Sequence, residues 1–519
     1  MRQGTQIAFL ALFVYLLFEA YQGRAAHPWT DVFFRFNPLA ALTAMLSARS
    51  WIPRLGLALV TVALTLVAGR VWCGWVCPLG TLSEWLRFRQ TRERAVSPSP
   101  RWRTAKYVIL VAIVAAALFG NLTLTILDPI AILTRTATTS VLPALNAAIT
   151  GAERMAYAIR FLRPAVDLIE GTLRGPVLPT TQYYFAANVA VALLFAAIVG
   201  LNWVAERFWC RYLCPLGGLL AILSKVAPFR RVVGEQCNRC AQCAGTCPMD
   251  TIEPAQGYAS DPGECTVCLD CLNACPRNGI AFRWRWEPIW REYDPSRRQV
   301  LAALGASAAG VALVNSSARA SDPDPYLVRP PGALDVEFNE DGFLSRCIRC
   351  GACIKVCPTG GLQPSGVQQL GLKGFWTPHL VPRLGHCDYG CHACGQVCPS
   401  GAIRPLTLSD KQTTVIGRAY IDTNRCLPWA DNIRCAVCEE MCPVPNKAII
   451  LQGGGEGESA FGSGGGIGSA QGAPSAPRPY VLSTRCIGCG LCEKRCPLNG
   501  ESAIRVYSPN EPPPPNGYA

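Results

Sequence analysis

The cysteines of this chain constrain its fold more than any other feature, because almost all of them fall into one repeated motif. The chain has 519 residues and 28 cysteines. Six times it contains four cysteines of which the last precedes proline, and the regular form is C-x2-C-x2-C-x3-C-P. This is the spacing of cysteine thiolates that hold [4Fe–4S] clusters. A chain with six such motifs is predicted to carry electrons.

The predicted cluster ligands fall into two groups. The first group is Cys237, Cys240, Cys243, Cys247, Cys265, Cys268, Cys271 and Cys275. The second group is Cys347, Cys350, Cys353, Cys357, Cys387, Cys391, Cys394, Cys398, Cys426, Cys435, Cys438, Cys442, Cys486, Cys489, Cys492 and Cys496.

The fourth cysteine of each motif is expected to cross to a neighbouring cluster, as in two-cluster ferredoxins. In the first group this rule gives two ligand sets. One is Cys237, Cys240, Cys243 and Cys275, and the other is Cys265, Cys268, Cys271 and Cys247. In the second group two pairings of motifs stay open. Either the first motif pairs with the second and the third with the fourth, or the first pairs with the fourth and the second with the third.

Two other uses of these cysteines fit the spacing poorly. Disulfide frameworks are typical of secreted chains of under about 100 residues. Zinc sites use two C-x2-C pairs, whereas here a third cysteine follows and a fourth precedes proline. Iron–sulfur clusters are therefore the interpretation for all six motifs.

The four remaining cysteines form two copies of C-x3-C-P, Cys73 with Cys77 and Cys210 with Cys214. Cysteines four residues apart share one face of a helix, so the two copies could converge into a single four-thiol site. Such a site could hold a further iron–sulfur or other metal centre, or form redox-active disulfides. The alternative is that both copies are structural Cys-Pro helix ends.

Hydropathy predicts that the N-terminal part of the chain spans a membrane. Half of the residues are hydrophobic, only 16% are charged, and the mean hydropathy is +0.21. Segments 6–21, 55–71, 106–127 and 184–205 are predicted to be transmembrane helices. The second and fourth segments each run into Trp-Cys, so the C-x3-C-P motifs mark an internal repeat.

Basic residues predict the orientation of these spans. Arginines cluster after the second and fourth spans, and the positive-inside rule therefore places residues 231–290 in the cytoplasm. Segment 296–320 contains Arg297 and Arg298, then a weakly apolar run and an A-x-A end, which is typical of a twin-arginine export signal. The alternative is an ordinary fifth span. Both interpretations place residues 321–519 in the periplasm of an inner-membrane, multi-pass protein.

The predicted fold is an α-helical membrane domain of four spans plus a fifth signal-anchor span, with α+β bacterial ferredoxin-like polyferredoxin modules. The domain boundaries follow the motifs. They are 1–230 for the membrane domain, 231–290 for a two-cluster ferredoxin, 291–320 for the signal or anchor helix, 321–508 for a four-cluster ferredoxin and 509–519 for a Pro-rich tail.

Other cofactors are not expected. His27 is the only histidine before residue 379, too few for a membrane cytochrome b. The Cys387 to His392 segment has one residue too many for a haem c attachment site. No Gly-rich dinucleotide loop predicts a flavin or NAD site. The net charge of +13 is nearly cancelled by six clusters of roughly −2 each, so no nucleic-acid partner is expected.

The dipeptides Asn37-Pro38 and Asp128-Pro129 occupy corresponding loops of the repeat. An acidic side chain there could accept a proton from a quinol. The alternative is that both dipeptides cap or kink a helix.

Two known families resemble this chain. Residues 1–290 resemble the NapH family in WCGWVCPLGTLSEWLR, WCRYLCPLGGLLAILSK and CNRCAQCAGTCP. Residues 296–508 resemble the MauM/NapG family of exported ferredoxins in SRRQVL, RPPGAL, CIRCGACIKVCP and CLPWADNIRCAVCEEMCP. The chain thus resembles a fusion of two subunits.

The resemblance implies a quinol dehydrogenase component that passes electrons from membrane quinol or menaquinol to a periplasmic reductase or c-type cytochrome. A second hypothesis is a maturation or metal-reducing factor for a respiratory or quinone-cofactor enzyme. A third is an electron-relay scaffold subunit among the other subunits of a respiratory complex. The sequence names neither catalytic residues nor a quinol site.

Overall fold

The chain forms one helical module and two small ferredoxin modules. The computed structural model describes residues 2–21, 29–86, 100–173, 182–285, 325–334, 339–453 and 476–509, with a few isolated positions beyond them. We call residues 2–224 the helical module, 229–284 the first ferredoxin module and 326–518 the second ferredoxin module. The predicted signal segment 291–320 lies almost entirely outside the described residues.

The helical module contains α-helices, single turns of 3-10 helix and π-helical turns. Its α-helices are Arg2–Tyr21, Val32–Arg35, Pro38–Ala48, Ala58–Ala68, Pro78–Trp85, Thr104–Leu118, Pro129–Thr136, Leu142–Tyr157, Arg163–Leu173, Asn188–Gly200 and Pro215–Ser224. Its 3-10 turns are Pro53–Leu55, Pro100–Arg103, Thr123–Leu127, Arg160–Leu162 and Leu201–Trp203. Its π-helical turns are Trp72–Val76, Ala137–Val141 and Trp209–Leu213.

The prediction of membrane-spanning helices is wrong for the described residues, where no helix combines the length and the apolar character needed to cross a bilayer. Crossing the hydrocarbon core takes about 20 apolar residues. Ala58–Ala68 has 11 residues and ends at Gly69, whose φ of 76° breaks the helix. Thr104–Leu118 has 15 residues and Asn188–Gly200 has 13. Arg2–Tyr21 has 20 residues but includes polar side chains at both ends.

The predicted fold class and location change accordingly. A four-span membrane domain with a fifth anchor span is contradicted, because the apolar segments fold into shorter helices. The prediction of a multi-pass inner-membrane protein, with residues 231–290 cytoplasmic and residues 321–519 periplasmic, depended on those spans and is contradicted with them.

Asn37 and Asp128 are helix caps that also bind one another. The Asn37 side chain accepts hydrogen bonds from the amides of Leu39 and Ala40, and Asp128 does the same for Ile130 and Ala131. Asn37 Nδ2 donates to Asp128 Oδ2 at 2.6 Å. Asp128 is thus fully engaged as a cap, and the structure favours the capping interpretation over a proton acceptor.

The first ferredoxin module is built on an antiparallel ribbon. Strand Phe229–Val233 pairs with Ile280–Trp284, so that Arg231 lies opposite Phe282. Between these strands lie the helices Gln242–Thr246 and Asp270–Asn273, the 3-10 turn Pro254–Gln256 and the short strands Ile252–Glu253 and Ala259–Ser260.

The second ferredoxin module repeats this pattern with short helices and small antiparallel sheets. Its helices are Glu340–Arg346, Ala352–Val356, Val367–Gly374, Ala393–Gln396, Leu408–Thr413, Leu427–Ala430, Val437–Glu440 and Leu491–Arg495. Its paired strands are Leu362–Pro364 with Pro378–Leu380, Ile449–Gln452 with Arg478–Val481, and Arg418–Asp422 between Ile504–Tyr507 and Gly517–Tyr518.

The helical module lies between the two ferredoxin modules and contacts a cysteine loop of each. Trp75 Nε1 donates a hydrogen bond to the Val267 carbonyl of the first ferredoxin module at 3.0 Å. Thr125 Oγ1 donates to the Ile348 carbonyl of the second ferredoxin module at 3.2 Å. Both contacts fall in the spacer between the first two cysteines of a C-x2-C-x2-C motif, so the helical module fixes the position of each loop.

Candidate iron–sulfur sites

The structure brings the cysteines of the second ferredoxin module together in the pairing of first with second motif and third with fourth. Burial and the nearby thiols of Cys350, Cys347 and Cys398 raise the pKa of Cys353 well above its usual value. Cys398 thus crosses from the second motif to the first. The return crossing is equally clear, since one apolar cavity is lined by Cys357, Cys387, Cys391 and Cys394.

The third and fourth motifs are related in the same way. One apolar cavity is lined by Cys426, Cys435, Cys438 and Cys496. Burial raises the pKa of Cys486, and the Cys442 thiol raises it further. Of the two pairings that the sequence left open, the sequential one therefore matches the geometry.

In the first ferredoxin module the grouping of one cysteine set matches the predicted crossing. Cys247, Cys265, Cys268 and Cys271 line one small cavity. Cys275 packs in a hydrophobic cluster that contains cysteines of both sets, so its crossing to Cys237, Cys240 and Cys243 stays a prediction.

A repeated backbone feature explains how the four regular motifs present their thiols. The residues on either side of each middle cysteine have positive φ, and they are Arg239 and Ala241, Val267 and Leu269, Arg349 and Gly351, and Gly488 and Gly490. Positive φ strains any residue other than glycine, and such strain concentrates at functional sites. Alternating right- and left-handed residues turn successive N–H groups into a concave anion-binding nest. A cluster with four thiolates carries a charge of roughly −2, so the loops fit this group.

Backbone amides also donate to the crossing cysteines. The Gly279 amide lies 3.2 Å from Cys275 Sγ, and the Ile403 and Ala448 amides lie 3.4 Å from Cys398 Sγ and Cys442 Sγ. Such hydrogen bonds tune the reduction potential of a bound cluster.

Among the described residues, no group of three or more His, Cys, Asp or Glu side chains is arranged to hold a metal ion. The four-cysteine sets instead border cavities whose linings are almost wholly apolar. The fit to iron–sulfur clusters therefore depends on the four-thiol sets and on the anion-binding loops.

The two C-x3-C-P motifs also converge. Each lies on a π-helical turn, Trp72–Val76 or Trp209–Leu213, and not on the regular helix expected from the spacing. The second cysteine is extended and caps the next helix in both copies. Burial raises the pKa of Cys214, and the nearby thiols of Cys210, Cys73 and Cys77 raise it further. Single π turns occur often at functional sites, and these two bring four thiols to one place.

Positive charge surrounds this four-thiol site. Arg70 is completely buried, and its Nη1 lies 3.3 Å from Glu264 Oε2. The same carboxylate is held by Lys106 Nζ at 2.6 and 2.5 Å. One carboxylate can balance only one of these two cations. Within the described part of the chain, Nε and Nη2 of Arg70 have no hydrogen-bond partner.

The excess charge faces the cysteines. Burial alone would lower the pKa of Arg70, yet the pKa is raised because Cys73, Glu264 and Cys214 lie close to the guanidinium. Arg207 is likewise buried and near Cys210, and it pairs with Glu84. Uncompensated buried charge is costly, and an anionic centre held by these four cysteines would offset Arg70 and Arg207.

The two copies of the repeat dock the first ferredoxin module differently. A Cβ added to Gly74 would lie 2.4 Å from the Thr266 carbonyl oxygen, so only glycine permits this close approach. At the corresponding position of the second copy stands Arg211, whose Nη2 lies 2.8 Å from Asp250 Oδ2.

Sequence reasoning missed several residues of these sites. Arg70, Lys106 and Glu264 are up to 194 positions apart, so no local motif reveals their contact. Arg349 has positive φ and binds Thr123 Oγ1 at 3.2 Å, which links the second ferredoxin module to the helical module. The sequence did offer one signal of the contact between modules, namely that Gly74 stands where the second copy of the repeat has Arg211.

Comparison with family models gives three matches. A model described as a 4Fe-4S binding domain matches residues 51–94 and 187–234, which contain the C-x3-C-P motifs. A 4Fe-4S dicluster domain matches residues 346–402, and a further 4Fe-4S binding domain matches residues 479–499. No solved structure matches the chain.

Curated relatives match parts of the chain. The methylamine utilization ferredoxin-type protein MauM of Methylorubrum extorquens is 32% identical over 223 residues, which cover 41% of this chain and 89% of that protein. The match to the ferredoxin-type protein NapG of Escherichia coli is 35% identical and covers 40% of this chain and 82% of NapG. The match to the ferredoxin-type protein NapH of Escherichia coli is 25% identical and covers 48% of this chain and 75% of NapH.

Proposed function

This chain belongs to the MauM/NapG family of ferredoxin-type proteins, and from that premise we propose that it carries electrons from a quinol through a row of [4Fe–4S] clusters to a protein redox partner. The family models and the relatives support an iron–sulfur electron-transfer protein related to NapG, NapH and MauM. The quinol donor and a reductase or cytochrome acceptor are what we propose beyond that.

The observation that carries the proposal is the continuity of the cysteine sets. One hydrophobic core contains Cys77 and Cys214 of the helical module and Cys350 of the second ferredoxin module. On its other side the helical module packs Gly74 against Thr266, which follows Cys265 in the first ferredoxin module. Redox centres joined through one packed interior would suit electron transfer from one end to the other.

The proposal assigns a cluster to each four-cysteine set. The 24 cysteines of the six motifs would hold six [4Fe–4S] clusters. Cys73, Cys77, Cys210 and Cys214 would hold a seventh, which the match of this segment to a 4Fe-4S binding domain supports. A bound cluster accepts and donates single electrons. The residues of this chain supply its thiolates, its backbone N–H donors and, through Arg70 and Arg207, its counter-charge.

Iron analysis tests the number of clusters. Seven sets predict about 28 iron atoms per chain, and the Cys73→Ala/Cys210→Ala variant is expected to lose about four of them. An unchanged iron content in that variant would show that the C-x3-C-P cysteines hold no cluster.

Anaerobic EPR spectroscopy of the purified full-length protein tests the donor. Addition of menadiol, a short quinol, is expected to produce the signals of reduced clusters. Clusters that respond to dithionite but not to menadiol would refute quinol as the direct donor.

A second candidate function is supported by the names of several relatives. MauM proteins are named for methylamine utilization, which favours delivery of electrons for the maturation of another redox enzyme. In that case the clusters would be reduced by a protein donor, and menadiol would leave them oxidised.

A further inference from the structure

The two halves of the second ferredoxin module meet where a loop of its second motif touches a loop of its fourth. The Cys387 amide donates a hydrogen bond to the Cys489 carbonyl at 2.8 Å. A second backbone contact, from the Ile416 amide to the Ile487 carbonyl at 3.0 Å, supports the same junction. Because the motifs pair sequentially, Cys387 and Cys489 belong to different cluster sets. An electron that passes from one half of the module to the other has a direct route here.

A buried lysine lies at this junction. Lys411 is only 2% exposed and comes from the helix Leu408–Thr413. Its ammonium group donates a hydrogen bond to the carbonyl of Asp388, the residue that follows Cys387. The same group lies 5.7 Å from the centroid of the Tyr389 ring. Among the residues that the structure describes, no carboxylate forms a salt bridge with it. An unpaired buried cation is costly, and an anionic cluster nearby would offset it.

The charge of Lys411 acts on thiols of both motifs. Burial raises the pKa of Cys387 to about 12, and Lys411 opposes this rise. Burial likewise raises the pKa of Cys489 to about 11, and Lys411 again opposes it. The ammonium group therefore lies close enough to stabilise negative charge on two cysteine sets at once.

The loop that Lys411 contacts lacks the backbone feature of the four regular motifs. In each regular motif the residues on either side of the middle cysteine have positive φ and form an anion-binding nest. Residues 388–393 include none with positive φ, and His392 has a φ of −135°. This motif also has three residues between its first two cysteines, where the regular motifs have two. A lysine charge thus stands where the other loops present N–H dipoles.

From this arrangement we infer that Lys411 is a positioning residue that raises the reduction potentials of the two clusters at the junction. A cation stabilises the reduced cluster, which carries one more negative charge than the oxidised one. When one electron crosses the junction, one cluster loses it and the other gains it, and no bond forms or breaks. Because one charge acts on both clusters, both potentials rise together. The inference rests on the proposed function in so far as both need clusters in these cysteine sets.

A redox titration of the full-length protein, followed by EPR, tests this role. In Lys411→Met two of the midpoint potentials should each fall by about 59 mV, because reduction becomes on the order of tenfold less favourable. A unit charge roughly 10 Å away acts with this strength at an effective dielectric constant of about 20. Lys411→Arg keeps the charge and should leave both potentials at their wild-type values. A merely structural role would change stability or iron content but would not move two potentials in the same direction.

Lys494→Met is the matched control. Lys494 also donates to backbone carbonyls of this module, but it is exposed, so water and salt screen its charge. Gln412→Glu changes the charge without removing the lysine, because the Gln412 side-chain amide lies 3.5 Å from the Tyr389 carbonyl. The new carboxylate should lower the same two potentials. If Lys411→Met fails to bind iron, Gln412→Glu decides, and unchanged potentials in that variant would refute the inference.

The outcomes separate this inference from the proposed function. If two potentials fall in Lys411→Met but not in Lys411→Arg, the inference stands, whether or not menadiol reduces the clusters. If no potential falls further in Lys411→Met than in Lys494→Met at equal iron content, the inference is refuted although the row of clusters stands. If the iron-loaded wild type shows no [4Fe–4S] signals with dithionite, the proposed function fails, and the inference fails with it.

Discussion

Replacing Glu264 by glutamine tests whether the buried charge cluster holds the first ferredoxin module on the helical module. Glu264 is the carboxylate shared by Lys106 and Arg70, and both cations are fully buried. The variant keeps the size of the side chain but removes its charge. Two cations then face each other without an anion between them.

The expected magnitude follows from the geometry. Lys106 Nζ lies 2.6 and 2.5 Å from the two Glu264 oxygens. At an effective dielectric constant of about 20, opposite charges roughly 3 Å apart attract by about 5 kcal/mol. Breaking one partner of a buried pair costs about 3–5 kcal/mol in other proteins, so the two figures agree.

Hydrogen exchange measures this loss directly. The amides of Glu264 and Cys265 both donate to the Asp261 carbonyl, at 3.1 and 3.0 Å. Their exchange is expected to accelerate by a factor of about 100 to 4,000, because each 1.4 kcal/mol is tenfold. The control is Glu235→Gln, which removes an exposed carboxylate from the same module. A change in Glu264→Gln no larger than in this control would refute the reasoning.

A double variant separates the roles of the two cations. Lys106→Met combined with Glu264→Gln leaves Arg70 alone near Cys73 and Cys214. If thiolates offset the charge of Arg70, as proposed, most of the lost protection should return. If protection stays low, Arg70 depends on Glu264 and not on the cysteines.

Three further predictions concern backbone and pH. Gly74→Ala should destabilise the contact between modules by about 1–3 kcal/mol, because the new Cβ would lie 2.4 Å from the Thr266 carbonyl oxygen. The control Gly4→Ala should not, because a Cβ there has no atom within 4 Å. Limited proteolysis compares the two variants. Ala241→Gly should stabilise the first ferredoxin module by about 1 kcal/mol in thermal unfolding, because φ at Ala241 is 60°. Burial lowers the pKa of His379 from 6.5 to about 4, so the unfolded chain binds a proton that the native state excludes. As the pH falls from 6.5 to 4, the free energy of unfolding of the wild type should therefore decrease by about 3 kcal/mol, whereas that of His379→Gln should not; local hydrogen exchange measures both.

The cluster loops could be predicted from local cysteine spacing, whereas the long-range contacts between motifs could not. The crossing of Cys247 and Cys275 is predicted from their positions before proline in a motif that is typical of two-cluster ferredoxins. The pairing of the second group needed the structure, since Cys398 and Cys496 approach other motifs only after folding.

The predicted spans failed for a physical reason. Hydropathy averages over a window, but helix length depends on single residues such as Gly69, and apolar character alone does not fix a continuous helix. The charge cluster of Arg70 and Glu264 was likewise hidden, since a buried ion pair across 194 positions leaves no pattern in either segment.

The helical module holds both cysteine loops by direct contact, through Trp75 on one side and Thr125 on the other. The spacing of the two ferredoxin modules is thus set by packing. Their covalent connection in one chain also raises the effective concentration of one module near the other. Gene fusion would therefore add speed of assembly and fixed stoichiometry to an electron path that two separate polypeptides could also form.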